Sequence, residues 1–191
     1  MSGCWNRKLD ILLDVLVPQS LIFSRIAIGL VFAVSILGKL RDFPTFEQTV
    51  ENFRILPQAL VKVCAYIFLG GEIAVIGVMV LGNKPLLFAG FLMAILLLAI
   101  FCFAILTSLI RSLQVPCNCF GSSQRPASLV DVWRNIVFLA CAFVGLTSLL
   151  APPDATVKIS LAETGLVGMM AVVFVVLSIY LGEVIEMFHF S

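Results

Sequence analysis

The chain has 191 residues, of which 61% are hydrophobic and only 12% charged, with a formal net charge of +1. Soluble domains carry about 25% charged residues, and a chain this small needs them to cover its surface, so a mean hydropathy of +1.14 excludes a soluble globular domain. A near-neutral charge without a basic stripe excludes a nucleic-acid footprint. Sixteen Phe against two Tyr fit a lipid environment, where a phenolic hydroxyl needs a partner that Phe does not.

At the N-terminus, Met1-Ser2-Gly3-Cys4 ends like a lipoprotein cleavage site, but no apolar stretch precedes it. Neither a signal peptide nor a lipid anchor is therefore expected. A short amphipathic helix is predicted over Lys8 to Val17. A spanning helix needs about 20 mostly apolar residues, and five stretches meet this. The first covers about 21–38 and carries Arg25. The second covers 60–82, with Lys62 near its start and Glu72 in its middle. The third, 85–110, holds no charge; the fourth, 132–150, opens with Trp133 and Arg134; the fifth, 161–182, has Glu163 at its mouth. Pro152-Pro153 ends the fourth.

Between the first two spans, Phe43, Phe46, Val50, Phe53 and Leu56 recur three or four residues apart, with Glu47, Glu51 and Arg54 on the opposite face. That pattern predicts an interfacial helix between about Pro44 and Phe53. Asn83-Lys84 predicts a tight hairpin. No repeat or linker divides the chain, so residues 1–191 are expected to form one all-α domain: a bundle of about five transmembrane helices with one short interfacial helix.

With five spans the 111–131 loop and the C-terminus lie opposite the N-terminus. Basic residues number five on the N-terminal side (Arg7, Lys8, Arg25, Lys84, Lys158) and seven on the other (Lys39, Arg41, Arg54, Lys62, Arg111, Arg125, Arg134). That count weakly favours a cytoplasmic 111–131 loop. Cysteine chemistry argues the reverse, because disulfide exchange belongs to oxidising compartments. We expect the loop to be extracytoplasmic.

Of the six cysteines, Cys117 and Cys119 form a close pair in the loop Val115-Pro116-Cys117-Asn118-Cys119-Phe120-Gly121. A disulfide across one residue closes a small strained ring, because the two Cα atoms must approach to about 5.5 Å. Strain favours exchange over stapling. Free thiols in a loop, or half of an intermolecular metal site, are the competing readings. A metal centre within the chain is not expected, since its one histidine, His189, stands at the far C-terminus. Cys64, one turn into the second span from the same side, suits a relay. Cys102 and Cys141 lie deeper, and Cys4, Cys64, Cys102 and Cys141 also read as small hydrophobes.

An intramembrane carboxylate such as Glu72 must be protonated, paired or turned toward a cavity. Arg25 is the partner expected from depth, giving a proton or pairing site.

The run Arg25-Ile26-Ala27-Ile28-Gly29-Leu30 through Ser35, Gly38-Lys39-Leu40-Arg41-Asp42, followed by Phe46 and Leu56-Pro57, resembles the opening of the MauE/DoxX family of redox-associated membrane proteins. Glu72 four residues after Phe68, the Cys117-Asn118-Cys119-Phe120-Gly121 loop, and Arg134-Asn135 are similar to its MauE branch, over roughly residues 25–150. The resemblance implies a helical bundle of four or five spans and a link to maturation of a disulfide-dense periplasmic enzyme subunit. It further implies thioredoxin-like partners, and for DoxX-type members a connection to quinone-linked sulfur oxidation. Cys117 and Cys119 would then be the redox pair of a thiol–disulfide oxidoreductase serving an extracytoplasmic partner, with no covalent cofactor and with electrons passing to a membrane quinone or, if the protein reduces its partner, the other way. The alternative is a non-catalytic subunit or assembly factor of a redox complex. A solute carrier is weaker, for want of an inverted repeat or broken helices.

Overall fold

The structure, a computed structural model, describes residues 2–52, 57–111, 128–151 and 160–189. Six helices and no strand occur among them: α1 (Ser2–Arg41), α2 (Phe43–Asn52), α3 (Gln58–Leu81), α4 (Lys84–Ile110), α5 (Leu129–Leu150) and α6 (Leu161–His189). All but α2 contain a stretch long and apolar enough to cross a membrane, so the chain is a multi-pass membrane protein with the five spans its sequence predicts.

Several boundaries differ from expectation, with α1 ending at Arg41 and α6 at His189. The separate helix over Lys8–Val17 does not exist, because α1 runs unbroken from Ser2 with Pro18 inside it. α5 starts at Leu129, three residues before the apolar run. There Ser128 and Asp131 form a reciprocal capping box that satisfies first-turn backbone donors. The Asn83 side chain accepts from Leu86 N–H and caps α4, with Pro85 in the first turn where a missing N–H costs nothing.

α2 is the amphipathic helix the three-four spacing predicts. Asp42 caps it through Thr45, and its inner face buries Phe46 and Thr49. Phe43 stacks on Tyr66 of α3 with ring centroids 4.9 Å apart.

α1 is the central helix, packed against α3, α5 and α6, while α4 fills the space between α3 and α5. Its Ala27, Ile28, Val31 and Phe32 meet Val75 and Met79 of α3, Phe91 and Ala94 of α4, Phe138 of α5 and Ala171 of α6 in one core cluster. Gly145 permits the closest approach: a Cβ there would stand 2.5 Å from the Phe91 ring and 2.8 Å from Ser24. Facing outward are Ile67, Ile73 and Leu81 of α3, Leu96 and Phe103 of α4, and Met169, Val173 and Leu177 of α6, as lipid contact requires. The end of α4 and the starts of α3 and α5 share one end of the bundle, hereafter the loop end. The 82–83 hairpin marks the other.

Candidate functional site

Glu72 lies in the middle of α3 with 2% of its surface exposed and turns into the bundle, as its cost in lipid demands. Its partner is not Arg25. Lys39 Nζ stands 2.5 Å from Glu72 Oε1, and Ser35 Oγ donates to the same oxygen at 3.0 Å. Lys39 is itself only 1% exposed. Its ammonium lies over three rings, Phe46 of α2 at 4.9 Å, Phe68 of α3 at 5.0 Å and Phe101 of α4 at 5.4 Å. A compact cation enclosed by aromatic faces keeps electrostatic stabilisation where water is excluded.

Arg25 stands elsewhere. Its Nε donates to Met79 O at 2.5 Å and its Nη2 to Val80 O at 2.9 Å. These are among the last carbonyls of α3, which have no partner inside their own helix. The guanidinium therefore satisfies a helix end within the apolar zone.

The expected pairing failed for a geometric reason. α1 and α3 are antiparallel, and Arg25 is level with Met79, seven residues or about 11 Å along α3 from Glu72. In a helix every Cα–Cβ bond tilts toward the N-terminus. Arg25 thus leans away from Glu72, while Lys39 leans back into the bundle toward it. The apolar count ended the first span at Gly38 and left Lys39 in a loop. Its signal was nevertheless present: Ser24, Ile28, Val31, Ser35 and Lys39 recur at three- and four-residue steps along the buried face of α1.

A cavity of about 20 Å³ adjoins the pair, lined by Ser35, Glu72 and Asn135 together with the apolar side chains of Val31, Phe32, Phe68, Leu97, Leu98 and Phe101. Glu72 Oε2 has no hydrogen-bond partner among the described residues. Asn135 is 2% exposed, and its Nδ2 donates to Asp131 O at 2.9 Å, one turn earlier on α5. Asp131 in turn pairs with Arg134 at 2.9 Å. The polar groups thus converge from α1, α3 and α5, with α2 and α4 contributing aromatic walls.

Cys117 and Cys119 lie outside the described residues. Cys64 is a half-buried free thiol in the second turn of α3, near the loop end. Cys102 and Cys141 face different partners. Cys102 Sγ donates to Val132 O at 3.8 Å and the buried Cys141 Sγ to Ser24 Oγ at 3.7 Å. Val132 precedes Cys141 by nine residues, about 13 Å along α5, so these two thiols do not form a pair. Among the described residues no group of three or more His, Cys, Asp or Glu could hold a metal ion.

Five apolar spans around a buried ion pair, with a small cavity beside it, define a multi-pass integral membrane protein with an intramembrane polar site. The sequence model of the family described as methylamine utilisation protein MauE matches residues 17–148, well over half the chain. The chain therefore belongs to the MauE family. It is 34% identical over 157 residues to the methylamine utilization protein MauE of Paracoccus denitrificans, covering 81% of this chain and 80% of that relative. No solved structure matches it. The matched region contains Arg25, Ser35, Lys39, Glu72 and Asn135 together with Cys117 and Cys119, whereas α6 lies beyond it.

Proposed function

We propose that this protein is a thiol–disulfide oxidoreductase of a bacterial inner membrane that serves an extracytoplasmic protein in methylamine utilisation. The observation that carries this reading is the coincidence of two features at one end of the bundle. The segment holding Cys117 and Cys119 joins the end of α4 to the start of α5. The small cavity beside Glu72 reaches Phe101 of α4 and Asn135 of α5, about 9–14 Å below those helix ends. Membership of the MauE family supports a role in a redox-associated pathway.

In this scheme a thiolate of the partner attacks one sulfur of the Cys117–Cys119 disulfide and forms a mixed disulfide. The partner's second thiolate then displaces the attached cysteine, leaving the partner oxidised and Cys117 and Cys119 as a dithiol. Reoxidation removes two electrons and two protons, which a membrane quinone accepts to become quinol. A quinone ring does not fit a cavity of about 20 Å³, so that cavity is not the acceptor's site. Glu72 takes up a proton in transit, and Lys39 holds its carboxylate in place. Cys64 serves as the third thiol of the relay. The partner is thioredoxin-like or disulfide-rich, and the 112–127 segment faces the oxidising compartment.

Single Cys117→Ser and Cys119→Ser variants should each abolish disulfide formation in the partner, and removing the partner's second thiol should accumulate a mixed disulfide with one of the two cysteines that resolves on reduction. A membrane-impermeant maleimide should label both reduced cysteines in intact cells. If the double serine variant matures the partner normally, the protein is a non-catalytic subunit or assembly factor instead.

A further inference from the structure

We propose that the cavity between Glu72, Ser35 and Asn135 is a binding site for a single water molecule, held inside the membrane-spanning bundle by Glu72 Oε2 and Asn135. Apolar cavities of this size remain dry, whereas a water enters where the space exceeds about 10–15 Å³ and at least two polar groups face it. At about 20 Å³ the cavity meets the first condition for one water. Three polar side chains line it, which meets the second.

The chemistry of those groups selects the occupant. Glu72 Oε1 receives both the Lys39 ammonium and the Ser35 hydroxyl, while Oε2 has no partner among the described residues. A ligand at Oε2 must therefore donate a proton or carry positive charge. Lys39 already neutralises the carboxylate, so a cation would bring an uncompensated charge into an apolar bundle, and it would find too few oxygens to replace its hydration shell. An anion would meet Oε2 directly and be repelled. An apolar molecule would leave Oε2 bare. Water donates one proton to Oε2 and keeps a second donor and a lone pair for Asn135, whose Nδ2 is engaged with Asp131 O but whose Oδ1 can accept.

The site also has a direction. Asn135 leads through Asp131 O to the first turn of α5, where Ser128, Asp131 and Arg134 form a polar cluster at the loop end. A water on Oε2 thus joins Glu72 to that cluster by hydrogen bonds, and its occupancy does not rest on the proton role given to Glu72 above.

X-ray radiolytic footprinting of the full chain in lipid nanodiscs, in water labelled with oxygen-18, tests occupancy, because a bound water yields hydroxyl radicals that mark the side chains beside it. Phe68 and Phe101 line the cavity, and Phe91 is fully buried in the dry core one to two turns away along α4 from Leu97. Oxygen-18 hydroxylation of Phe68 and Phe101 should exceed that of Phe91 several-fold, and Asn135→Leu should lower it to the Phe91 level. Labelling of Phe68 and Phe101 no greater than that of Phe91 overturns the proposal, and that comparison needs no variant. Labelling that persists undiminished in Asn135→Leu overturns it equally, since the water would then be held elsewhere. Neither failure touches the thiol reading, which the trapped mixed disulfide decides separately.

Discussion

At the hairpin end of the bundle α1 carries Arg25, and near the loop end it carries Lys39, two cations in one apolar helix with different work. The guanidinium forks across Met79 O and Val80 O and so completes the end of α3. Around it the packing is dense: Gly145 leaves no room for a Cβ against Phe91, and Ser20 meets Ser148 at 2.7 Å. The ammonium sits on a carboxylate beside a cavity, with a carboxylate oxygen and a carboxamide still available. Arg suits the first task because its donors are fixed in a planar fork, and Lys suits the second because it is a compact point charge. A polar group in a membrane bundle is thus not a functional marker on its own. What separates the two ends is whether bonding capacity is left over once the helices are closed.

The largest effect expected from breaking this comparison is at the loop end. Glu72→Ala removes the counter-charge of a fully buried Lys39 and should destabilise the protein by about 3–5 kcal/mol. Replacing both partners by apolar residues of similar size, Lys39→Met with Glu72→Leu, should restore most of that stability, because no buried charge is then stranded. Unfolding in detergent, monitored against denaturant, measures both. If the single variant unfolds like the unaltered protein, the pair is not buried as described. The double variant should still lose partner oxidation, which separates the chemical role of the pair from its structural one.

How far the sequence disclosed these two ends follows from what each residue type signals. The spans were legible because lipid imposes length and apolarity together, and α2 because Phe43, Phe46 and Val50 keep a helical period. Glu72 was legible as a buried group, since no carboxylate lies in the middle of a span without a reason. Its partner was not, because choosing between Arg25 and Lys39 needs the relative level of two antiparallel helices and the lean of their side chains. Hydropathy places the end of a span only to within a turn, and Lys39 fell in that margin. Asn135 was visible in the family resemblance, but an amide in the first turns of a span carries no signal of its own. The start of α5 was missed because capping depends on Ser128 and Asp131, which an apolar count excludes.

At the hairpin end, Arg25→Leu leaves Met79 O and Val80 O without donors and should cost about 1.5–3 kcal/mol, the range for bonds to a charged group. Arg25→Lys should recover only part of this, since one ammonium cannot reproduce the fork. Neither variant should alter the rate of partner oxidation once differences in folded amount are corrected. A lowered rate in the folded fraction would give Arg25 a functional role and erase the distinction between the two ends.

The smallest effect sharpens the comparison most. Ser20 and Ser148 lie 2.7 Å apart across α1 and α5, and each also has a carbonyl of its own helix in reach, Val17 O at 2.8 Å and Val144 O at 2.7 Å. Two hydroxyl protons therefore serve one cross-helix bond and one carbonyl. In Ser148→Ala, Ser20 keeps its proton on Val17 O and no buried group is left unsatisfied. The loss should be near the average for interhelical bonds in membranes, about 0.6 kcal/mol. Ser20→Ala should cost about the same, and the double variant little more than either single one, because both remove one shared bond. Ser35→Ala at the loop end has no such fallback. It takes a donor from Glu72 Oε1, a carboxylate whose other oxygen already lacks a protein partner among the described residues, so it should cost about 1.5–3 kcal/mol. Equal losses for Ser148→Ala and Ser35→Ala would mean that the hairpin end is no more self-sufficient than the loop end, and the distinction between the two regions would fail.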